Sequence, residues 1–376
     1  MKVLTRNYLF LIIGAVLFIF MLLVNPFGVN PNATKVLAVA VLMITLWIGE
    51  ALPMPVVAML PIIFFPLMSI CKIDEAAAPY ANPVIFLFLG GFLIGLAVEK
   101  WNLHKRIVKL TGTSGDRIIL GFILATGLLS MWLSNTATTM MMYPIAMSVI
   151  AIMEHKHGEE KVKPMAICLM LSLAYASNLS IGTIIGTPPN VAYVAFLNKQ
   201  YNYSFSFKDW MLLFTPLSLL LLLALYFVMT KIIYPNKIKK DEETSQLIKH
   251  ELLQLGKLSP PEIRVLWIFC ITAFLWITKD LINNFQSFVK LDDTIIAMFG
   301  AVLLFIIPSN SKIPQTRQIL DWGDTKKMAW GILLLFGGGI TLAAQLEKAG
   351  LIQQLGTWIA GAAGDNILLL VFTITM

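Results

Sequence analysis

The sequence predicts an all-α polytopic membrane protein: an inverted repeat whose first copy carries a re-entrant hairpin and a broken helix, and whose second copy is truncated. Three observations predict it. Of 376 residues, 58% are hydrophobic and only 13% charged, with a mean hydropathy of +0.79, whereas a soluble domain is nearer ~25% charged. The apolar residues fall in long blocks with charged connectors between them, and ~20 such residues in a helix cross the ~30 Å hydrocarbon core. The stretch "FLGGFLIGLAVEKWNL" (88–103) returns as "FGGGITLAAQLEKAGL" (336–351). The short alternating segments of a membrane β-barrel are missing from the sequence.

Taken in order, helices are expected at 8–24, 35–53, 55–70 and 83–99. The first block is short enough for a signal peptide, but "NPFGVNPNATK" after it has no small-residue cleavage pattern, so it reads as a retained helix. A basic amphipathic stretch, "EKWNLHKRIVKLTGTSGDR", comes next. Two long apolar blocks follow at 118–153 and 165–197, then a helix at 210–231 and a charged connector. Three more helices at 263–279, 293–308 and 329–346 lead to an amphipathic piece and the start of another apolar run.

The block 118–153 is too long for one span at ~1.5 Å per residue. Ser134, Asn135 and Thr136 interrupt it at its centre and leave two arms of about 16 residues, each ~24 Å long. Such arms fall short of a full crossing, so a hairpin whose tip stops inside the bilayer fits better; irregular backbone survives there only within protein or beside water. Charge placement supports this. With a cytoplasmic N-terminus and a block that enters and leaves on one side, 21 of the 28 basic residues face the cytoplasm and 7 face outward. Counting the block as one crossing spoils that bias. The net charge of +7 is therefore an orientation signal for a multi-pass protein of a bacterial inner membrane, bathed in lipid, and not a nucleic-acid surface.

The two glycine-bearing stretches share six of 16 positions at an offset of 248: Phe88/Phe336, Gly90/Gly338, Gly91/Gly339, Glu99/Glu347, Lys100/Lys348 and Leu103/Leu351. The first copy ends on the cytoplasmic side and the second on the other, so the halves are expected to be inverted, as in many secondary transporters. The same offset carries Ser134 to position 382, beyond Met376. The expectation is a truncated chain that lacks the second tip and half of a central site.

The second long block contains "SIGTIIGTPPNVAYVAF". Proline cannot donate a backbone hydrogen bond, threonine caps helix starts and glycine suits helix ends. "GTPPN" is thus expected to close one half-helix at Gly186 and open another at Thr187 and Pro188. "SNT" reads alike, with one arm ending near Leu133 and the next starting under a Ser, Asn or Thr cap. Ser177-Asn178 lacks the threonine and reads as helix packing. A half-helix N-terminus attracts anions, while the carbonyls of a half-helix C-terminus, with nearby hydroxyls, suit a hard cation. No Asp, Glu or His lies near either break, so proton coupling lacks its titratable group and Na⁺ is the expected ion. Cys71, Cys168 and Cys270 are isolated, and the histidines sit in polar connectors, so neither a metal-ligand spacing nor an enzyme's cluster of reactive groups is present.

"SNT" with "GTPPN" and the inverted repeat resembles the divalent anion–sodium symporter family, which carries dicarboxylates, citrate or sulfate. The resemblance implies that Ser134, Asn135 and Thr136 contact substrate carboxylates, with Thr187 and Pro188 as further candidates. It places a Na⁺ among Ser130, Ser134, Asn135 and Gly186. It also implies a homodimer whose transport elements move, elevator-like, against a scaffold. On that pattern 1–82 is N-terminal scaffold, 83–208 holds the first repeat's transport elements, and 209–235 is that repeat's last helix. Then 236–262 is a cytoplasmic connector, 263–328 the second repeat's scaffold, and 329–376 the start of its transport elements. The expected activity is Na⁺-coupled symport of a succinate, malate or fumarate type of dicarboxylate. Sulfate, citrate and Na⁺-independent exchange stay open within the fold; a Na⁺/H⁺ antiporter, a channel and a membrane-embedded enzyme are disfavoured.

Overall fold

A computed structural model describes residues 2–25, 28–103, 115–203, 205–235, 258–286, 288–310 and 317–363. Most of the basic amphipathic stretch, the charged connector and the last apolar run lie outside the described residues. The described chain is helical: α1 (Lys2–Val24), α2 (Pro31–Ile48), α3 (Met54–Val57), α4 (Leu60–Leu67), α5 (Ile73–Ala77) and α6 (Pro83–Lys100). They are followed by α7 (Gly115–Ser130), α8 (Asn135–His157), α9 (Glu159–Asn178), α10 (Pro188–Tyr201) and α11 (Phe207–Phe227), which ends in a π-turn at Val228–Ile233. The last four are α12 (Pro260–Phe285), α13 (Asp293–Ile306), α14 (Trp330–Lys348) and α15 (Leu351–Ala363). Among the described residues, six helical stretches are long and apolar enough to cross a membrane: Arg6–Val24, Pro31–Ile48, Ile73–Lys100, Phe207–Ile233, Pro260–Phe285 and Trp330–Lys348. The protein is all-α and multi-pass, as the composition implied.

Contacts divide the chain into two units. The first joins Met1–Ile85 to Ala329–Met376. Its core gathers Val36, Val39, Met43, Leu46, Val57 and Phe65, with Leu342 and Leu346 of α14 packed on it. Asn30 caps α2 by accepting from Ala33 N at 2.8 Å. Thr341 Oγ1 donates to Ala76 O at 3.1 Å, and Gln345 Nε2 to Glu75 Oε1 at 3.0 Å. These bonds, with the Lys348–Glu75 ion pair, fasten α14 to α5.

The second unit is Phe86–Met328. A hydrophobic core is built there by α7, α8, α9 and α11 from residues that include Ile119, Phe122, Met142, Met153, Leu169 and Leu222. Here α7 and α8 are joined by only four residues, 131–134, and both pack on α9. The polar triplet therefore marks a real helical hairpin. Its arms are unequal, however. The first stops at Ser130 instead of near Leu133, and the second runs 23 residues, well past the 16 expected. The backbone carbonyls of Gly127 and Leu129 are taken up by the N–H groups of Met131, Trp132 and Leu133, which closes α7 three residues early.

The two copies of the glycine motif fold alike. Each is preceded by a 3₁₀ turn, Ala78–Ala81 before α6 and Trp322–Lys327 before α14. Each ends on a left-handed residue, Asn102 (φ 55°) and Gly350 (φ 75°), which are 248 positions apart. In each the glycines permit close approach: a Cβ on Gly90 would lie 2.7 Å from the backbone of Ala297 in α13, and one on Gly338 would overlap the backbone of Ala58 between α3 and α4.

Candidate ion and substrate site

The interrupted block 165–197 breaks earlier and wider than its sequence suggested. The first half-helix does not reach Gly186; α9 ends at Asn178, and nine residues pass before α10 begins at Pro188, with only a single 3₁₀ turn at Ile184–Gly186. Thr187 holds the N-cap position in extended conformation (φ −141°, ψ 147°), but its side chain makes no capping bond. Ser177-Asn178, which read as packing, thus forms the C-terminal end of a half-helix.

The hairpin tip meets this break. One terminal atom of the Asn135 side-chain amide lies 2.9 Å from Ser130 Oγ, 3.0 Å from Ser177 O and 3.2 Å from Gly186 O. Ser180 Oγ is 3.3 Å away. The other terminal atom lies 3.0 Å from Asn178 Oδ1. Ser130, Ser177, Ser180 and Gly186 are buried, while Asn135 is half-buried. Which amide atom points inward is decided by its neighbours. With Oδ1 inward, Nδ2 donates to Asn178 and the Ser130 and Ser180 hydroxyls can donate to Oδ1, but Oδ1 then also faces the carbonyl oxygens of Ser177 and Gly186. With Nδ2 inward, the two carbonyls gain a donor, but Oδ1 then faces Asn178 Oδ1. Either way at least one acceptor faces another acceptor, two carbonyls in the first orientation and Asn178 Oδ1 in the second. A small hard cation among Ser130 Oγ, Asn135 Oδ1, Ser177 O and Gly186 O removes the conflict, because oxygen ligands at short range are what such an ion selects. The residues fit Na⁺.

Of the residues expected to hold the ion, Ser130, Asn135 and Gly186 come together. Ser134 immediately precedes α8, and its backbone carbonyl accepts from Thr138 N at 2.9 Å. Thr136 stands exposed on the first turn of α8, and Thr187 is buried at the start of α10. Two helix N-termini and two helix C-termini so converge within one unit. The sequence reading missed Ser177, Ser180 and Asn178. Thr139 Oγ1 reinforces them, lying 3.0 Å from Ser177 Oγ. The helix α6 backs the site: a Cβ on Gly95 would overlap Leu133, and one on Gly91 would sit 3.1 Å from Ile185. Trp132 of the tip packs on Phe269 with ring centroids 4.8 Å apart and stacks on Trp276 at 6.0 Å.

A cavity of about 690 Å³ opens beside the tip, lined by Gly91, Ile94, Trp132, Leu133, Phe269 and Trp276 with Thr272 as its polar exception. Its walls offer an anion almost nothing, since carboxylates need donors.

The sequence profile described as "Sodium:sulfate symporter transmembrane region" matches residues 4–376. The chain belongs to this family. Membership makes it a membrane transporter and not an enzyme. Among curated relatives, the "Sodium-dependent dicarboxylate transporter SdcS" of Staphylococcus saprophyticus is 37% identical, over 97% of this chain and 72% of the relative. Its namesakes in two strains of Staphylococcus aureus are 36% and 35% identical, over 96% and 98% of this chain and 71% and 72% of theirs.

Proposed function

We propose that the chain is a sodium-coupled symporter of a dicarboxylate of the succinate, malate or fumarate type. The observation that carries this reading is the Asn135 amide held at 2.9–3.2 Å from Ser130 Oγ, Ser177 O and Gly186 O. The names of the similar staphylococcal transporters support both ion and substrate class.

Na⁺ is cargo in this scheme, held by Ser130, Ser134, Asn135 and Gly186, with the Ser177 carbonyl as a further ligand. Filling the cage turns Asn135 Oδ1 inward and adds positive charge beside the N-terminal turns of α8 and α10. Those turns then hold the carboxylates through Ser134, Asn135 and Thr136 on one side and Thr187 and Pro188 on the other, where unpaired N–H groups favour an anion. Binding the ion first thus strengthens binding of the substrate, which is the thermodynamic root of coupling. Hairpin and broken helix move together as an elevator against a scaffold in a homodimer, with the hairpin re-entrant and the N-terminus cytoplasmic in a bacterial inner membrane. A sulfate substrate is the second reading, favoured by the family's description.

Uptake of labelled succinate, citrate and sulfate into proteoliposomes, with and without an inward Na⁺ gradient, tests both. Succinate uptake is expected to follow the gradient, and Asn135→Ala to abolish it while leaving the protein folded. Uptake indifferent to Na⁺ refutes coupling, normal uptake by the variant removes Asn135 from the site, and sulfate uptake alone selects the second reading.

A further inference from the structure

Between Asn178 and Pro188 the backbone is unwound, so its carbonyls lack the partner four residues on that a helix supplies. Inside a bilayer each must find another. Four of them are taken by side chains. Ser218 Oγ donates to Leu179 O at 2.5 Å, Trp210 Nε1 to Ile181 O at 2.9 Å, and Thr215 Oγ1 to Gly182 O at 3.0 Å. Asn190 Nδ2 of α10 donates to Thr183 O at 2.9 Å. The first three donors all come from α11. Trp210 and Ser218 are buried, while Leu212, Leu213, Leu217 and Leu220 of the same helix are exposed. An otherwise leucine-rich span thus turns its polar groups toward the break.

We propose that α11 is a splint that fixes the cation site, with Trp210, Thr215 and Ser218 as positioning residues. This rests on the cation reading above. Carbonyls claimed by the splint cannot turn toward the ion, and holding the stretch 179–182 sets the spacing of the two that flank it. Those are the carbonyls of Ser177 and Gly186, at 3.0 and 3.2 Å from the Asn135 amide. Thr215 is central. A Cβ on Gly182 would lie 2.9 Å from the Met131 side chain of the hairpin tip and 3.2 Å from the Thr215 hydroxyl, so glycine leaves room for both the tip and α11.

The test measures thermal stability of the purified protein against Na⁺, with K⁺ keeping ionic strength constant, alongside the Na⁺ dependence of uptake. The variants are Thr215→Val, Thr215→Val with Ser218→Ala, Thr215→Ser, and Thr278→Val as a control on the half-buried Thr278 hydroxyl, which bonds Phe274 O within α12. Stabilisation by Na⁺ is expected in the unmodified protein and its loss in Asn135→Ala. Thr215→Val should need roughly fivefold more Na⁺ for half effect, and the double variant at least tenfold. Maximal uptake at saturating Na⁺ should stay within about twofold, and Thr215→Ser and Thr278→Val should match the unmodified protein. A shift in Na⁺ requirement without loss of maximal rate is not what general loosening produces. If Thr215→Val, folded, keeps its Na⁺ requirement while Asn135→Ala loses the response, the splint is overturned alone. If the unmodified protein ignores Na⁺, the cation reading falls and the splint with it.

Discussion

Asn135 and Gly186 meet from two different chain segments, and each is there for a different reason. Asn135 supplies an amide with two chemically opposite ends. Gly186 supplies a carbonyl and the absence of a side chain: a Cβ there would overlap Ser180 O. Gly186→Ala is therefore expected to push that carbonyl out of the cluster and raise the Na⁺ needed for half-maximal uptake at least tenfold, read by Na⁺ titration of uptake; an unchanged titration would show that Gly186 O is no ligand. Asn135 was legible in the sequence because three consecutive hydrogen-bonding side chains in an apolar run need an explanation. Ser177 and Ser180 were not. A single hydroxyl in a membrane helix serves helix packing as readily as ion binding, and nothing local in the sequence says that the hairpin tip folds against these two.

Among the elements, the hairpin and the glycine helices were readable from interruption and repetition, both local signals. The width of the break was not. The sequence marks where α10 starts, through Thr187 and two prolines, but nothing local says that α9 stops at Asn178. Past that stop the freed carbonyls of Leu179, Ile181 and Gly182 take their donors from α11, about 30–40 residues downstream. The glycines give an internal comparison. Gly90 and Gly338 each face backbone, whereas Gly339 has open space. Gly90→Ala and Gly338→Ala are each expected to destabilise by about 1–3 kcal/mol, as overpacking against an immovable neighbour does. Gly339→Ala should be neutral or slightly stabilising, since alanine is the better helix former. Melting temperatures in detergent check all three; equal losses would assign the glycines to something other than close packing.

For the whole molecule, the ion pairs carry topological information. Arg6 pairs with Glu50, Lys100 with Asp321 and Asp324, and Lys231 with Asp116. Lys208 pairs with Asp280, Lys279 with Asp293, and Lys348 with Glu75. Every one joins two residues that the charge count puts on the same face. The Lys231–Asp116 pair is the informative one, because a hairpin block that crossed the bilayer once would put its two members on opposite faces. Single cysteines at positions 117 and 235, in a protein freed of Cys71, Cys168 and Cys270, should react with an impermeant maleimide from one face, and cysteines at 208 and 290 from the other. Labelling of 117 and 235 from opposite faces would contradict the hairpin.

The reciprocal glycine contacts reach further, into how such a chain is made. Gly90 emerges from the ribosome 207 residues before Ala297, and Ala58 emerges 280 residues before Gly338. At ~5–20 residues per second, the early partners wait on the order of ten seconds or more with a small-residue face turned to lipid. Biogenesis of either half by itself would leave that face permanently bare, so the two halves are obliged to mature as one.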